Sequence, residues 1–261
     1  MKHSRLIALL TDFGTGSPYI ASMKGQILSI NPNAAIVDIS HTVTPFNINE
    51  AAYILWSVYK SFPEGTIFVT VVDPGVGSKR KIILAESLCH LFLAPDNGVL
   101  RYVLDSLNIE KVREVNNESL FSKNVSPTFH GRDIFAPVAA HLALGLPSKK
   151  VGPILNIKRE RKSSIITLKK NPGVYDGEVI FIDAFGNIIT NILLKKLLSR
   201  MRVKIGDKII QSHYETYALA PEGIPFFLIG SSQLLEISIK NASAANKLNA
   251  KIGQKLKIII S

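Results

Sequence analysis

The segment V-V-D-P-G-V-G-S-K-R-K, residues 71–81, ends an apolar run on Asp73, turns through Pro74, Gly75 and Gly77, and brings Lys79, Arg80 and Lys81 within one turn of the acid. An acid and a guanidinium held this close make a fixed dipole that can orient a water or a polar ligand. The same spacing also describes a hairpin with an ordinary surface ion pair, worth about 0.2–1 kcal/mol. His130, in P-T-F-H-G-R-D, directly precedes a helical pattern. The positive end of a helix disfavours the imidazolium, so a neutral ring facing a cleft is expected there. His41, in D-I-S-H-T, is the next histidine candidate; His3, His90, His141 and His213 read as surface or core residues.

Asp12, Asp38 and Asp73 each sit at the end of a strand-like run, and open α/β sheets bind ligands beyond the carboxyl ends of their strands. A strand-end acid also commonly caps a turn. The loop after Asp12, F-G-T-G-S, consists mostly of small residues and allows a ligand near the backbone, but no Gly-Lys-Ser/Thr follows to make a P-loop. Collecting Asp12, Asp38, His41, Asp73 and His130 as metal ligands finds no HxH, HExxH or DxD spacing, so no metal is expected. In I-D-A-F-G-N, residues 182–187, Asp183, Phe185 and Asn187 alternate along one face if the chain is extended. They would offer acid, ring and amide to an aminated aromatic ligand, and a turn around Phe-Gly-Asn is the equal alternative.

These residues need a scaffold, and the hydrophobic pattern describes one. LIALLTDF (6–13), AAIVDIS (34–40) and TIFVTVVD (66–73) read as strands, alternating with helical patterns over 18–30 and 49–62, the latter with Asn49 as a cap. KIILAES and HLFLAPDN continue the sheet, and 131–145 is a helix ended by Gly145. The expected fold is an α/β N-terminal domain, mostly parallel sheet with flanking helices, over residues 1–155. A basic, proline-punctuated linker over 156–173 follows, then a smaller all-β, barrel-like domain over 174–261.

With 261 residues, 46% of them hydrophobic, the chain can bury a large core. No run approaches the roughly 18 apolar residues of a membrane helix, and the N-terminal stretch turns polar too early for a signal peptide. The single Cys89 has no disulfide or CxxC partner, which suits a reducing compartment, and the cytoplasm is the expected location. The formal charge of +11 is diffuse, and its densest runs, NIKRERK (156–162) and LKKLLSRMRVK (194–204), have no interleaved aromatics to stack on bases. Nucleic acid is therefore not the expected partner.

In order along the chain, LLTDFG, YxxxMKG, DISHxVxPF, VVDPGVGSxR, APDNGxL, TFHGRDIFAPVAAHLAxG, FGNxxTN and GSSxxLEI together resemble the S-adenosyl-L-methionine hydroxide adenosyltransferases. This family includes adenosine-forming S-adenosylmethionine hydrolases and is related to the fluorinase and chlorinase enzymes. The resemblance covers nearly the whole chain. It implies a homotrimer with sites between the N-terminal domain of one subunit and the C-terminal domain of its neighbour, and attack of water on ribose C5′ of S-adenosyl-L-methionine without a cofactor. By this likeness Asp73, Arg80 and His130 hold the nucleophilic water and Asp12 takes the ribose hydroxyls. Asp183 takes the methionine ammonium, Asn187 the adenine edge, and Ser231 and Ser232 the methionine carboxylate. Ser17 and Tyr19 join the substrate-binding residues, and Phe46, Phe129 and Phe185 line the apolar parts of the site. The chain departs from the family pattern at Ser17, where an acid is usual, and at Gln233 and Leu234, where Gly and Tyr are usual. Halide-using members lack the Asp and His that stand here as Asp73 and His130, which disfavours a halogenase. A non-catalytic S-adenosylmethionine or nucleoside binder is the alternative that Ser17 motivates.

Overall fold

The computed structural model describes residues 5–156, 165–168, 173–198 and 200–261. The chain forms two compact units, Met1–Lys162 and Ser163–Ser261. Most of the expected linker, 156–173, lies outside the described residues.

The first unit is a six-stranded sheet with helices. Its elements are β1 (Ile7–Thr11), α1 (Pro18–Ile30), β2 (Ile36–Ser40), α2 (Ile48–Val58), β3 (Ile67–Val71), β4 (Ile82–Ser87), β5 (Leu91–Pro95), α3 (Arg101–Ser106), β6 (Ile109–Glu114) and α4 (Ala136–Ala143). The strand order is β2-β1-β3-β5-β4-β6. Strands β2, β1, β3 and β5 are parallel, whereas β4 runs antiparallel to both neighbours. That antiparallel strand departs from a simple alternating pattern, because the connection from β4 to β5 is too short for a parallel crossover. Strands β1 and β3 are buried along their whole length, as their continuous apolar runs require. Ile7, Leu9, Ile67 and Val69 form one core with Met23 and Ile27 of α1 and with the apolar residues of α4. Asn47, not Asn49, caps α2: its Oδ1 accepts from the Glu50 amide at 3.1 Å, while Asn49 accepts from Arg101 at 2.6 Å.

The second unit contains β7 (Ile166–Thr167), β8 (Gly173–Ile182), β9 (Ile188–Leu193), β10 (Met201–Ile205), β11 (Lys208–Ile210), β12 (Phe226–Ile229), β13 (Leu234–Ser238), α5 (Ala244–Leu248) and β14 (Lys255–Ile260). Its strands are ordered β11-β10-β14-β8-β9-β13-β12, antiparallel throughout, with β7 added parallel to β9. The long β8 pairs with β14 through Glu178 and with β9 from Val179 onward, where a register shift marks a bulge. A strand shared in this way turns the sheet over on itself, giving a nearly closed, barrel-shaped unit around Val179, Ile188, Val203, Leu235 and Ile258.

Candidate active site

Asp12 follows β1 directly and Asp73 lies two residues beyond β3, so both stand at the carboxyl edge of the parallel strands. Asn97 braces this edge by donating its Nδ2–H to the Val72 carbonyl at 2.9 Å. From Asp73 the chain makes a compact turn, closed by Val76 N–H to the Asp73 carbonyl (3.2 Å) and Ser78 N–H to the Gly75 carbonyl (3.0 Å). The turn folds Arg80 back onto the acid. Arg80 Nε donates to Asp73 Oδ1 and Oδ2 at 3.0 and 2.8 Å, and Nη2 donates to Oδ2 at 2.5 Å. The Asp73 and Arg80 side chains are only 4% and 11% exposed, so this is not the surface ion pair that spacing alone also allowed.

Arg80 Nη2 also lies 2.8 Å from Nδ1 of His130. Spacing alone left His130 apart from the other two; the fold brings all three together. His130 immediately precedes a π turn, Gly131–Phe135, that leads into α4. Burial, and then the positive Arg80, push its pKa below the ordinary value of 6.5, opposed by Asp73 and Asp133. The ring is thus held neutral, as expected, with burial and Arg80 as the causes. A guanidinium has no lone pair to offer, so His130 Nδ1 must accept and the proton resides on Nε2. Asp73 Oδ1 receives one hydrogen bond from Arg80 and keeps acceptor capacity for another group.

Asp12, Tyr19, Phe46, Asp73, Phe129 and His130 line one cavity of about 390 Å³. Tyr19 packs edge-on against Phe129 and Phe13, with ring centroids 4.9 and 5.8 Å apart. Phe46 is unusual: its φ is +66°, the residue is 70% exposed, and its amide donates to Asp12 Oδ2 at 2.9 Å. Asp12 therefore holds a left-handed aromatic residue at the cavity wall, a conformation that costs an L-residue about 1–3 kcal/mol. Ser17 does not line this cavity; it caps α1, its Oγ accepting from the Tyr19 amide at 3.2 Å. Asp38 lies inside β2 rather than at a strand end, paired with Lys24 at 2.6 Å and His41 at 3.0 Å. Its burial raises the carboxyl pKa, but those two partners outweigh burial and hold it below the ordinary range. Among the described residues no group of three or more His, Cys, Asp or Glu is arranged to hold a metal ion.

The second unit has its own cavity, about 590 Å³, lined by Asp183, Phe185, Asn187, Tyr217, Asn241 and Ser243 among others. Here the turn, not the extended alternation, is realised. Asp183 Oδ1 accepts from the Phe185 and Asn187 amides at 2.9 and 2.8 Å, and Oδ2 accepts from Asn187 Nδ2 at 2.9 Å. Gly186 takes φ +82° and packs so closely on Ser243 that a Cβ would lie 2.1 Å from its Oγ. Phe185 is 80% exposed at the tip. Burial and Glu236 push the Tyr217 phenol far above its ordinary pKa, and its hydroxyl donates to Glu236 at 2.6 Å. Ser231 and Ser232 are not among the residues lining this cavity; they lie in the turn between β12 and β13, beside Gln233. Gln233 has φ +61°, the conformation suited to the glycine usual in the resembling family. Tyr217, Asn241 and Ser243 carried no signal in type or spacing that marked them beforehand.

Family models for the SAM hydroxide adenosyltransferase N-terminal and C-terminal domains match residues 7–152 and 177–257. The chain is 34% identical to an (R)-S-adenosyl-L-methionine hydrolase of Thermus thermophilus, across 98% of this chain and 100% of that one. It is 35% identical to the enzyme of the same name from Methanocaldococcus jannaschii, across 97% and 95%. A crystal structure of an uncharacterized conserved protein from Thermotoga maritima superimposes with a TM-score of 0.87 at 37% identity, covering 97% of this chain and 100% of that chain.

Proposed function

The chain belongs to the SAM hydroxide adenosyltransferase family, and from that premise we propose that it hydrolyses (R)-S-adenosyl-L-methionine to adenosine and L-methionine. The observation that carries this reading is the part-buried Asp73–Arg80–His130 constellation, whose Asp73 and His130 line a largely apolar cavity.

The sulfonium is already a good leaving group, so catalysis needs chiefly an aligned nucleophile shielded from bulk water. A water donates one proton to Asp73 Oδ1, which retains acceptor capacity, and accepts from His130 Nε2–H, which fixes its oxygen. Its remaining lone pair attacks C5′. The O–C5′ bond forms, the C5′–S bond breaks, the electron pair passes to sulfur as neutral methionine leaves, and the water proton passes through Asp73 to solvent. In this reading Asp73 is the acceptor and Arg80 orients both partners, because the lone pair of His130 Nδ1 is already committed to Arg80. Neither metal nor cofactor is required by this chemistry.

Asp12, with one oxygen committed to the Phe46 amide, takes the ribose hydroxyls through its free lone pairs, beside Tyr19, Phe46 and Phe129. Asp183, Phe185 and Asn187 take the aminoacyl and adenine ends, in a homotrimer where each site draws on two subunits, and the protein works in the cytoplasm. Among the described residues no helix is long and apolar enough to cross a membrane. Sedimentation tests the trimer. Chromatography of purified protein incubated with (R)-S-adenosyl-L-methionine, with and without chloride and chelator, tests the reaction. Equal adenosine and methionine, indifferent to both additions, is the expected result; a halogenated nucleoside or no product overturns it.

A further inference from the structure

The Arg80–His130 contact joins two segments far apart in sequence, the 73–80 turn and the 121–130 loop, and something must set their separation. At Gly77 the turn comes up against the backbone of the loop. Gly77, with φ +77°, lies so close to Pro127 that a Cβ on it would stand 2.5 Å from the Pro127 carbonyl oxygen. No side chain fits there without moving backbone. Pro127 itself has a fixed φ and no N–H, so it is a stiff surface for the turn to rest on.

The loop is fastened from its other side by Asp133. This residue is 2% exposed, and its Oδ2 accepts from the Ser126 amide at 2.8 Å, one residue before Pro127. Arg132 holds the same carboxylate from Nε (2.7 Å) and Nη2 (2.9 Å). The Asp133 carbonyl accepts from the Ser122 amide at 2.8 Å, and its own amide donates to the Phe129 carbonyl at 3.2 Å. The loop from 122 to 129 is thus tied at three points to the residue that stands three positions after His130.

We infer that Gly77 and Asp133 are positioning residues of the active site: docking of the glycine on Pro127, with the loop latched by Asp133, sets the distance between Arg80 and His130. This rests on the hydrolase reading for its effect on turnover, though not for its effect on the imidazole. A displacement of about 1 Å at a reacting constellation can cost on the order of 100-fold in rate.

The experiment compares Gly77→Ala and Asp133→Asn with Gly145→Ala in the full-length protein. Gly145 has φ +94° at the end of α4, and nothing lies within 4 Å of where an alanine methyl would stand, so this substitution introduces a comparable left-handed strain without a clash. The readouts are kcat and KM for adenosine release, and the tautomer and titration of His130 by nitrogen-15 NMR, assigned by its loss in His130→Asn. The charged groups facing that imidazole are Asp73, Arg80 and Asp133. Gly77→Ala is expected to lower kcat about 10-fold or more with KM little changed, and to move the His130 titration upward as Arg80 withdraws. Gly145→Ala should keep both at wild-type values. A folded Gly77→Ala protein with wild-type kcat and His130 titration overturns the inference. If circular dichroism shows that Gly77→Ala does not fold, Asp133→Asn decides by kcat, KM and the His130 tautomer, because losing that carboxylate lowers the His130 titration directly; wild-type kcat and tautomer in a folded Asp133→Asn overturn the inference. If the wild type forms no adenosine the hydrolase reading fails, and the NMR titration still decides the positioning role.

Discussion

Nη2 of Arg80 stands 2.8 Å from Nδ1 of His130 while the same guanidinium grips both oxygens of Asp73. Because arginine only donates, the neutral imidazole accepts at Nδ1 and presents Nε2–H as its free group. The three residues are therefore unequal: one fixed donor, one oriented donor and one acceptor.

Asp73→Asn keeps the shape and removes the charge proposed to take the water proton. Turnover should fall by about 10²–10⁴-fold, the range for loss of a general base, with a smaller effect on substrate binding. Stopped assays of adenosine release beside calorimetric binding check this. A rate within a few-fold of wild type would show that Asp73 is not the acceptor.

The neutral state of His130 sets an acid limit. Protonation at Nδ1 turns the acceptor toward Arg80 into a second donor, so turnover should decline on the acid side with an apparent pKa below 6.5. The same lowering bears on stability. The unfolded chain takes up a proton near 6.5 and the folded chain does so only at lower pH, so this contribution is intact above 6.5 and is lost as pH falls through the folded pKa. Urea unfolding of wild type and His130→Asn across this window reads the difference in slope. Equal slopes would mean that His130 does not titrate differently on folding.

Asp12 has two tasks in this geometry, as proposed acceptor for the ribose and as acceptor for the strained Phe46 amide. Asp12→Ala should weaken binding more than turnover, by roughly 10- to 100-fold if a charge-assisted bond of about 1.5–3 kcal/mol is lost. Calorimetry measures the affinity, and Phe46 accessibility to quenching after Phe46→Trp, with and without Asp12→Ala, reports whether the wall residue is released. Unchanged affinity would remove Asp12 from the binding site.

Much of this site was legible because strands announce themselves: the apolar runs ending at Asp12 and Asp73 located the sheet edge, and the glycines after Asp73 announced its turn. The pairing of His130 with Arg80 was not legible from spacing, since fifty residues separate them and only the family resemblance placed them together. The roles of Asn97, Asp133 and Gly77 were hidden for another reason. Asn97 and Gly77 meet backbone atoms of distant segments and Asp133 holds the Ser126 amide seven residues before it, and such contacts leave no periodicity. Asp38 misled because its place inside β2, beside Lys24 and His41, depends on where the strand stops. At 182–187 alternation and turn chemistry competed, and Gly186 at φ +82° resolved them in favour of the turn.

That turn separates a structural from a ligand-binding contribution at Asp183. Its carboxylate accepts three hydrogen bonds from Phe185 and Asn187 before any ligand arrives, and these hold the exposed Phe185 ring and the Asn187 amide at the second cavity. Asp183→Ala should therefore destabilise the protein by about 1–3 kcal/mol, as loss of hydrogen bonds to a charged group does, besides weakening substrate binding. Asp183→Asn retains an acceptor oxygen for the turn and loses the charge expected to meet the substrate ammonium. The alanine variant should lower the urea midpoint, while the asparagine variant should keep most of that stability and still bind substrate poorly. If asparagine restores affinity together with stability, Asp183 serves the turn alone and the ammonium is held by another group.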